Sequence, residues 1–148
     1  MDSGAVLRGG CIAVRLKGAT KPAVIEEMVD MMVAAGKLTD RQSAIDAIFE
    51  RERKMSTGMQ CGVAIPHAKL DTVDDLIAAF GLKPEGIDFD ALDGQPSRIF
   101  VMTFSSVLRP GPHIQFLAAV SKQLSSAAVR DRLLQASSRE EIVEIMTA

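Results

Sequence analysis

The chain has only two histidines, and each stands where the sequence signals the end of one backbone element or the start of another. His67 follows a proline in "GVAIPHAK", Gly62 to Lys69. Val63 to Ile65 reads as a short buried strand that Pro66 stops, which delivers His67 to the strand end. Ligands of open α/β sheets bind at such ends, and an imidazole is largely uncharged near neutral pH and nucleophilic without an added base. On position alone, a surface turn histidine explains His67 as well as a nucleophile does. His113 follows Gly111-Pro112 at a predicted helix start, where unsatisfied amides and the helix dipole favour an anion and disfavour imidazolium. By itself it reads as a simple helix-start residue. Together, and with the Ser56-Thr57-Gly58 loop near His67 in sequence, the two histidines read as one phosphate site. Arg51, inside "ERERK" from Glu50 to Lys54, offers the planar fork that suits a phosphoryl group. The competing reading of that run is a solvated helix end held by intrahelical ion pairs.

Other chemistries find less support. Cys11, Cys61, His67 and His113 are zinc-ligand types, but none falls at the close paired spacing of structural zinc. There is no G-x-S-x-G elbow for a serine hydrolase, and Cys61 has no evident triad partner. Walker and kinase glycine loops are missing, which argues against direct use of ATP.

The totals set the frame for these residues. At 148 residues the chain is expected to be a single domain spanning 1–148, long enough to bury a core without disulfides. A net charge of -2 argues against a nucleic-acid surface, since phosphate backbones call for a basic face. The absence of Trp and Tyr removes most of the surface on which bases could stack. Arg15 and Lys17 interrupt the first apolar stretch, so it reads neither as a secretory leader nor as a membrane span. Two cysteines make a weak case for a bridge, and free thiols in a cytoplasmic protein are expected.

The elements that must position these side chains alternate in type. Strands are expected at Cys11 to Leu16, Val63 to Ile65, Leu76 to Leu82 and Arg98 to Phe104, with Ile87 and Phe89 as a short edge strand. Helices are expected from Thr20 to Gly36, then from a Thr39/Gln42 capping box through Ile45 and Ile48 to "ERERK". A further helix begins at or near His113, and two more close the chain around Val129 and Leu133 and behind a Ser138/Glu141 capping box. Strands alternating with helices imply an α/β fold, a mixed sheet sandwiched between α-helices, because the last two long strands are joined by turns.

The run "RERKMSTGMQCGVAIPHAK" resembles the signature of enzyme IIA domains of the fructose/mannitol type in the bacterial phosphoenolpyruvate-dependent sugar phosphotransferase system, a group that includes nitrogen-regulatory IIA proteins. The resemblance continues through "IDFDALDGQP", "RIFVMTF" and "HIQFLAAVSKQL". It implies a mixed sheet flanked by helices and a phosphoryl relay without a cofactor or metal. His67 would accept the phosphoryl group from HPr or a paralogue and pass it to a IIB domain, or a regulatory form would bind target proteins according to its phosphorylation. His113 maps onto the histidine that supports the group, Arg51 onto the arginine of the Arg-Glu pair, and Thr57 and Gly58 onto the loop beside the site. Two departures stand out: Gln60-Cys61-Gly62 replaces the usual Gly-Asn-Gly, and "LRPGP" replaces an often acidic segment before His113.

Overall fold

A computed structural model describes residues 3–148 of the chain. Its elements run α1 (Ser3–Gly9), β1 (Cys11–Ala13), α2 (Lys21–Ala34), α3 (Arg41–Lys54), β2 (Val63–Ala64), β3 (His67–Leu70), β4 (Ile77–Ile87), β5 (Ser97–Ser106), α4 (Pro110–Leu124), α5 (Ala127–Leu134) and α6 (Arg139–Thr147). The five strands form one mixed sheet in the order β1-β4-β5, with both β2 and β3 along the far side of β5. β4 and β5 are antiparallel, and the other pairings are parallel.

β5 explains why helices cover both faces. Its side chains alternate between two apolar sets, so neither face can meet water. Phe100, Met102 and Phe104 pack with Ile25, Met28 and Ile48 of α2 and α3. Ile99 and Val101 join Phe116, Val120, Leu133 and Ile142 of α4, α5 and α6 on the other face. Burying each such side chain contributes about 1.5–3 kcal/mol, and the two layers hold the sheet between them.

Several expected boundaries move, each for a local reason. The second helix is capped by Asp40, not Thr39, because the Asp40 carboxylate accepts from the Ser43 amide at 3.0 Å. Thr20 and Ser138 do cap their helices, the latter through the Glu141 amide at 3.1 Å, and Ser126, not singled out in the sequence, caps α5. The first strand keeps only Cys11–Ala13. The following loop is clamped by the Lys83 ammonium, which donates to the Leu16 carbonyl at 3.2 Å, and by the Glu27 carboxylate, which accepts from the Gly18 amide at 2.8 Å. Ile87 ends the long β4, while Phe89 lies beyond it, buried against Phe100. The helix expected near His113 starts at Pro110.

The most consequential change concerns Pro66. β2 does end before Pro66, at Ala64, but the chain rejoins β5 at His67 as a second strand in the same register: Val63 lies opposite Ile99, and His67 opposite Thr103. Proline lacks an N–H, but its carbonyl still accepts from the Thr103 amide at 3.0 Å. In an extended strand the N–H and C=O of one residue point to the same side, so Pro66 gives up one ladder bond to β5, and the strand is interrupted between Ala64 and His67.

Candidate functional site

His67 therefore opens an edge strand, with β5 on one side and, among the described residues, no further strand on the other. Its Nδ1–H donates to the Ile65 carbonyl at 2.8 Å, since a carbonyl can only accept. In the uncharged ring this leaves the lone pair on Nε2, the nitrogen not held by the backbone. The half-buried ring is thus fixed in tautomer and orientation by the residue two positions before it.

His113 lies in the first turn of α4, and its ring centroid is 5.5 Å from that of His67 at an interplanar angle of 49°. Its Nε2 shares a hydrogen bond with Thr103 Oγ1 at 2.9 Å. Burial, then the nearby His67 and Lys69 charges, hold its pKa below the ordinary imidazole value. The helix start itself contributes less than expected, because Pro110 and Pro112 remove two of the amides that would face a ligand. Side chains must supply most of the stabilisation for an anion here.

The two rings border a shallow depression of about 360 Å³ between α3, β3 and the start of α4. Arg51, Lys54 and Glu50 line it from α3, and Lys69 lines it from the same strand as His67. Cations outnumber the one carboxylate, which suits a phosphoryl group. The Arg51 Nη1 donates to the Met55 carbonyl at 2.8 Å, so the guanidinium is steadied at the helix end with donors to spare. A larger hollow of about 460 Å³, lined by Leu7, Lys122 and Met146, contains neither histidine, so volume does not mark the site.

Thr57 and Gly58 lie elsewhere than on the rim of this depression. Thr57 is only 2% exposed, and its amide donates to the Glu52 carboxylate at 3.1 and 3.2 Å. Its carbonyl accepts from the Ile65 amide at 3.0 Å, and Ile65 in turn orients His67. The loop runs antiparallel along the outer edge of β2, where Gly58 bridges Ala64. A Cβ on Gly58 would meet the Ala91 Cα at 2.9 Å, so only glycine allows this approach. The Arg51-Glu52 pair is divided in the same way: Arg51 lines the depression, and buried Glu52 grips the loop and pairs with Lys21 Nζ at 2.9 Å.

The four zinc-ligand candidates do not converge. Cys11 is in β1 on the opposite edge of the sheet, and Cys61 is exposed in the turn before β2. Only the two histidines come together. Sequence reasoning missed Lys69, Thr103 and Glu52. Lys69 was recoverable, since i and i+2 share one side of a strand. Nothing in the sequence points to Thr103, whose role depends on register across the sheet.

Comparison with known proteins places the chain in a family. The profile of the family described as "Phosphoenolpyruvate-dependent sugar phosphotransferase system, EIIA 2" covers residues 5–148. A "PTS system fructose-specific EIIA component" of Haloferax volcanii is 40% identical over 128 residues, covering 86% of this chain and 83% of that protein. A "PTS system fructose-specific EIIABC component" of Bacillus subtilis is 38% identical over 135 residues; these span 91% of this chain but only 21% of that longer protein. Among solved structures, the nitrogen regulatory protein IIA-Ntr of Neisseria meningitidis superposes with a TM-score of 0.89 at 28% identity, covering 97% of this chain and 98% of the other. The protein is a phosphotransferase component and a member of the EIIA 2 family of the phosphoenolpyruvate-dependent sugar phosphotransferase system.

Proposed function

We propose that His67 is the phosphorylated residue of this phosphocarrier and that Nε2 is the atom that carries the group. The observation that carries this reading is the 2.8 Å bond from His67 Nδ1–H to Ile65, which leaves Nε2 as the nucleophile beside a cation-lined depression. The Nε2 lone pair attacks the phosphorus of a donor phosphohistidine. The donor's P–N bond breaks, and its electron pair returns to the donor imidazole. The proton stays on His67 Nδ1, donated to the Ile65 carbonyl throughout, so the transfer needs no general base. Such a step is mostly positioning and charge stabilisation. His113 and Arg51 bind the phosphoryl oxygens, and the Thr57-Gly58 loop holds the Ile65 carbonyl in place.

The donor is an HPr-like carrier and the acceptor a IIB domain. The name of the Bacillus relative, EIIABC, supports a IIB acceptor, because it joins A and B components in one protein. Leu108 and Ile114, 86% and 67% exposed, flank the start of α4 and provide apolar contact near the histidines. A small contact of this kind suits partners that bind and release quickly. The likeness to a nitrogen regulatory protein supports a second reading, in which phosphorylation switches binding to a regulatory target.

Incubation with phosphoenolpyruvate, enzyme I and HPr, followed by intact mass, tests the nucleophile. Wild type gains one acid-labile phosphate, and His67→Ala gains none. A phosphate adduct that persists in His67→Ala would overturn the assignment. Transfer from the phosphorylated protein to a IIB domain supports uptake; if no IIB domain from the same genome accepts the group, the regulatory reading stands.

A further inference from the structure

We infer that Thr103 is a positioning residue that ties the two histidines into one transfer site; the inference rests on the reading of His67 and His113 given above. Thr103 lies opposite His67 in the β3–β5 pairing and is fully buried. Its amide donates to the Pro66 carbonyl at 3.0 Å and so anchors the residue that precedes the nucleophile. Its hydroxyl, on the α4 side of the sheet, holds His113 Nε2 at 2.9 Å. One residue thereby sets the position of His67 through its backbone and that of His113 through its side chain.

The hydroxyl also decides what His113 offers an incoming phosphoryl group. With Nε2 engaged, Nδ1 is the nitrogen left for the ligand. When Thr103 donates to Nε2, the uncharged ring carries its proton on Nδ1 and presents a donor to the phosphoryl oxygens. When His113 is protonated, the same hydroxyl turns and accepts from Nε2–H, because a hydroxyl can do either. Thr103 therefore holds His113 in one orientation through both charge states, as an apolar residue of the same shape cannot.

The test compares Thr103→Val, which keeps the shape, with Thr103→Ser, which keeps the hydroxyl, using phosphoramidate as a small P–N donor and intact mass as the readout. Thr103→Val should be phosphorylated roughly tenfold more slowly than wild type, and Thr103→Ser at close to the wild-type rate. In a His113→Ala background, Thr103→Val should cause no further loss. Imidazole nitrogen NMR should show the His113 tautomer balance altered in Thr103→Val and kept in Thr103→Ser. Equal rates for wild type and Thr103→Val, with His113→Ala slow, would overturn the role of Thr103 while leaving the site intact. A wild-type rate for His113→Ala would instead overturn the underlying reading, and the inference with it. Slowing by Thr103→Val that persists undiminished in the His113→Ala background also overturns it, since the effect would not pass through His113.

Discussion

The rings of His67 and His113 stand 5.5 Å apart and tilted by 49°, one at the edge of the sheet and the other on the helix that covers its neighbouring face. They belong to elements separated by two long strands in sequence. Burial and the charges of His67 and Lys69 keep His113 reluctant to protonate before the phosphoryl group arrives. A phosphoryl dianion on His67 reverses that balance by placing negative charge beside it. NMR titration should therefore show the His113 pKa rise on phosphorylation of His67; an unchanged value would mean that the two rings do not share the group.

The same depressed pKa gives folding stability a pH dependence. Because the folded state holds His113 below its unfolded value of 6.5, the unfolded chain binds the proton more readily. This contribution is fully present above the unfolded pKa, is lost as pH falls from there toward the folded pKa, and levels off below it. Urea midpoints measured between about pH 5 and 8 should fall on the acid side, in a range clear of most carboxylates. His113→Gln should flatten that slope, and a slope that survives the substitution assigns it to another group.

His113→Ala should slow phosphorylation of His67 by about a hundredfold, the usual cost of removing one preorganised partner of a developing charge. Arg51→Lys should also be impaired, because an ammonium cannot both hold the Met55 carbonyl and present a planar fork. Rapid-quench transfer rates on folded variants check both. Wild-type rates would remove these residues from the site.

Glu52→Ala should destabilise the fold by about 2 kcal/mol, since it leaves the buried Thr57 amide without its acceptor and the Lys21 ammonium with only the longer ion pair to Asp90 at 3.4 Å. The damage should reach the chemistry as well, because Thr57 holds Ile65, and Ile65 holds His67. Denaturant unfolding and the phosphorylation rate of the remaining folded protein measure the two effects separately. Loss of stability with an unaltered rate would disprove the chain of contacts through the loop.

Cys61 occupies the left-handed region, φ 64°, immediately before Gly62 at φ 76°. Asparagine tolerates that conformation better than cysteine does. Cys61→Asn should stabilise the protein by about 0.5–1 kcal/mol with no change in phosphorylation rate. A lower urea midpoint in the variant would show that the thiol contributes something the backbone argument misses.

The sequence by itself determined most of the element types and the two-faced core, and it singled out His67 as the candidate nucleophile. The near-continuous apolar run in "RIFVMTF" already implies a strand covered on both faces, and a proline beside one of only two histidines already marks a special position. These are local signals, carried by residues adjacent in the chain. The sequence also marked His113 and Arg51, but as separate candidates with bland alternatives. Only the tertiary structure decided that they border one depression with His67, because α3, β3 and α4 meet there across long stretches of chain. It also decided that pairing with β5 resumes beyond Pro66, that Thr57 contacts Ile65 rather than the depression, and that Thr103 contacts both Pro66 and His113. The first and last of these depend on the register of β3 against β5. Register is set by packing across the sheet, and no run of neighbouring residues encodes it.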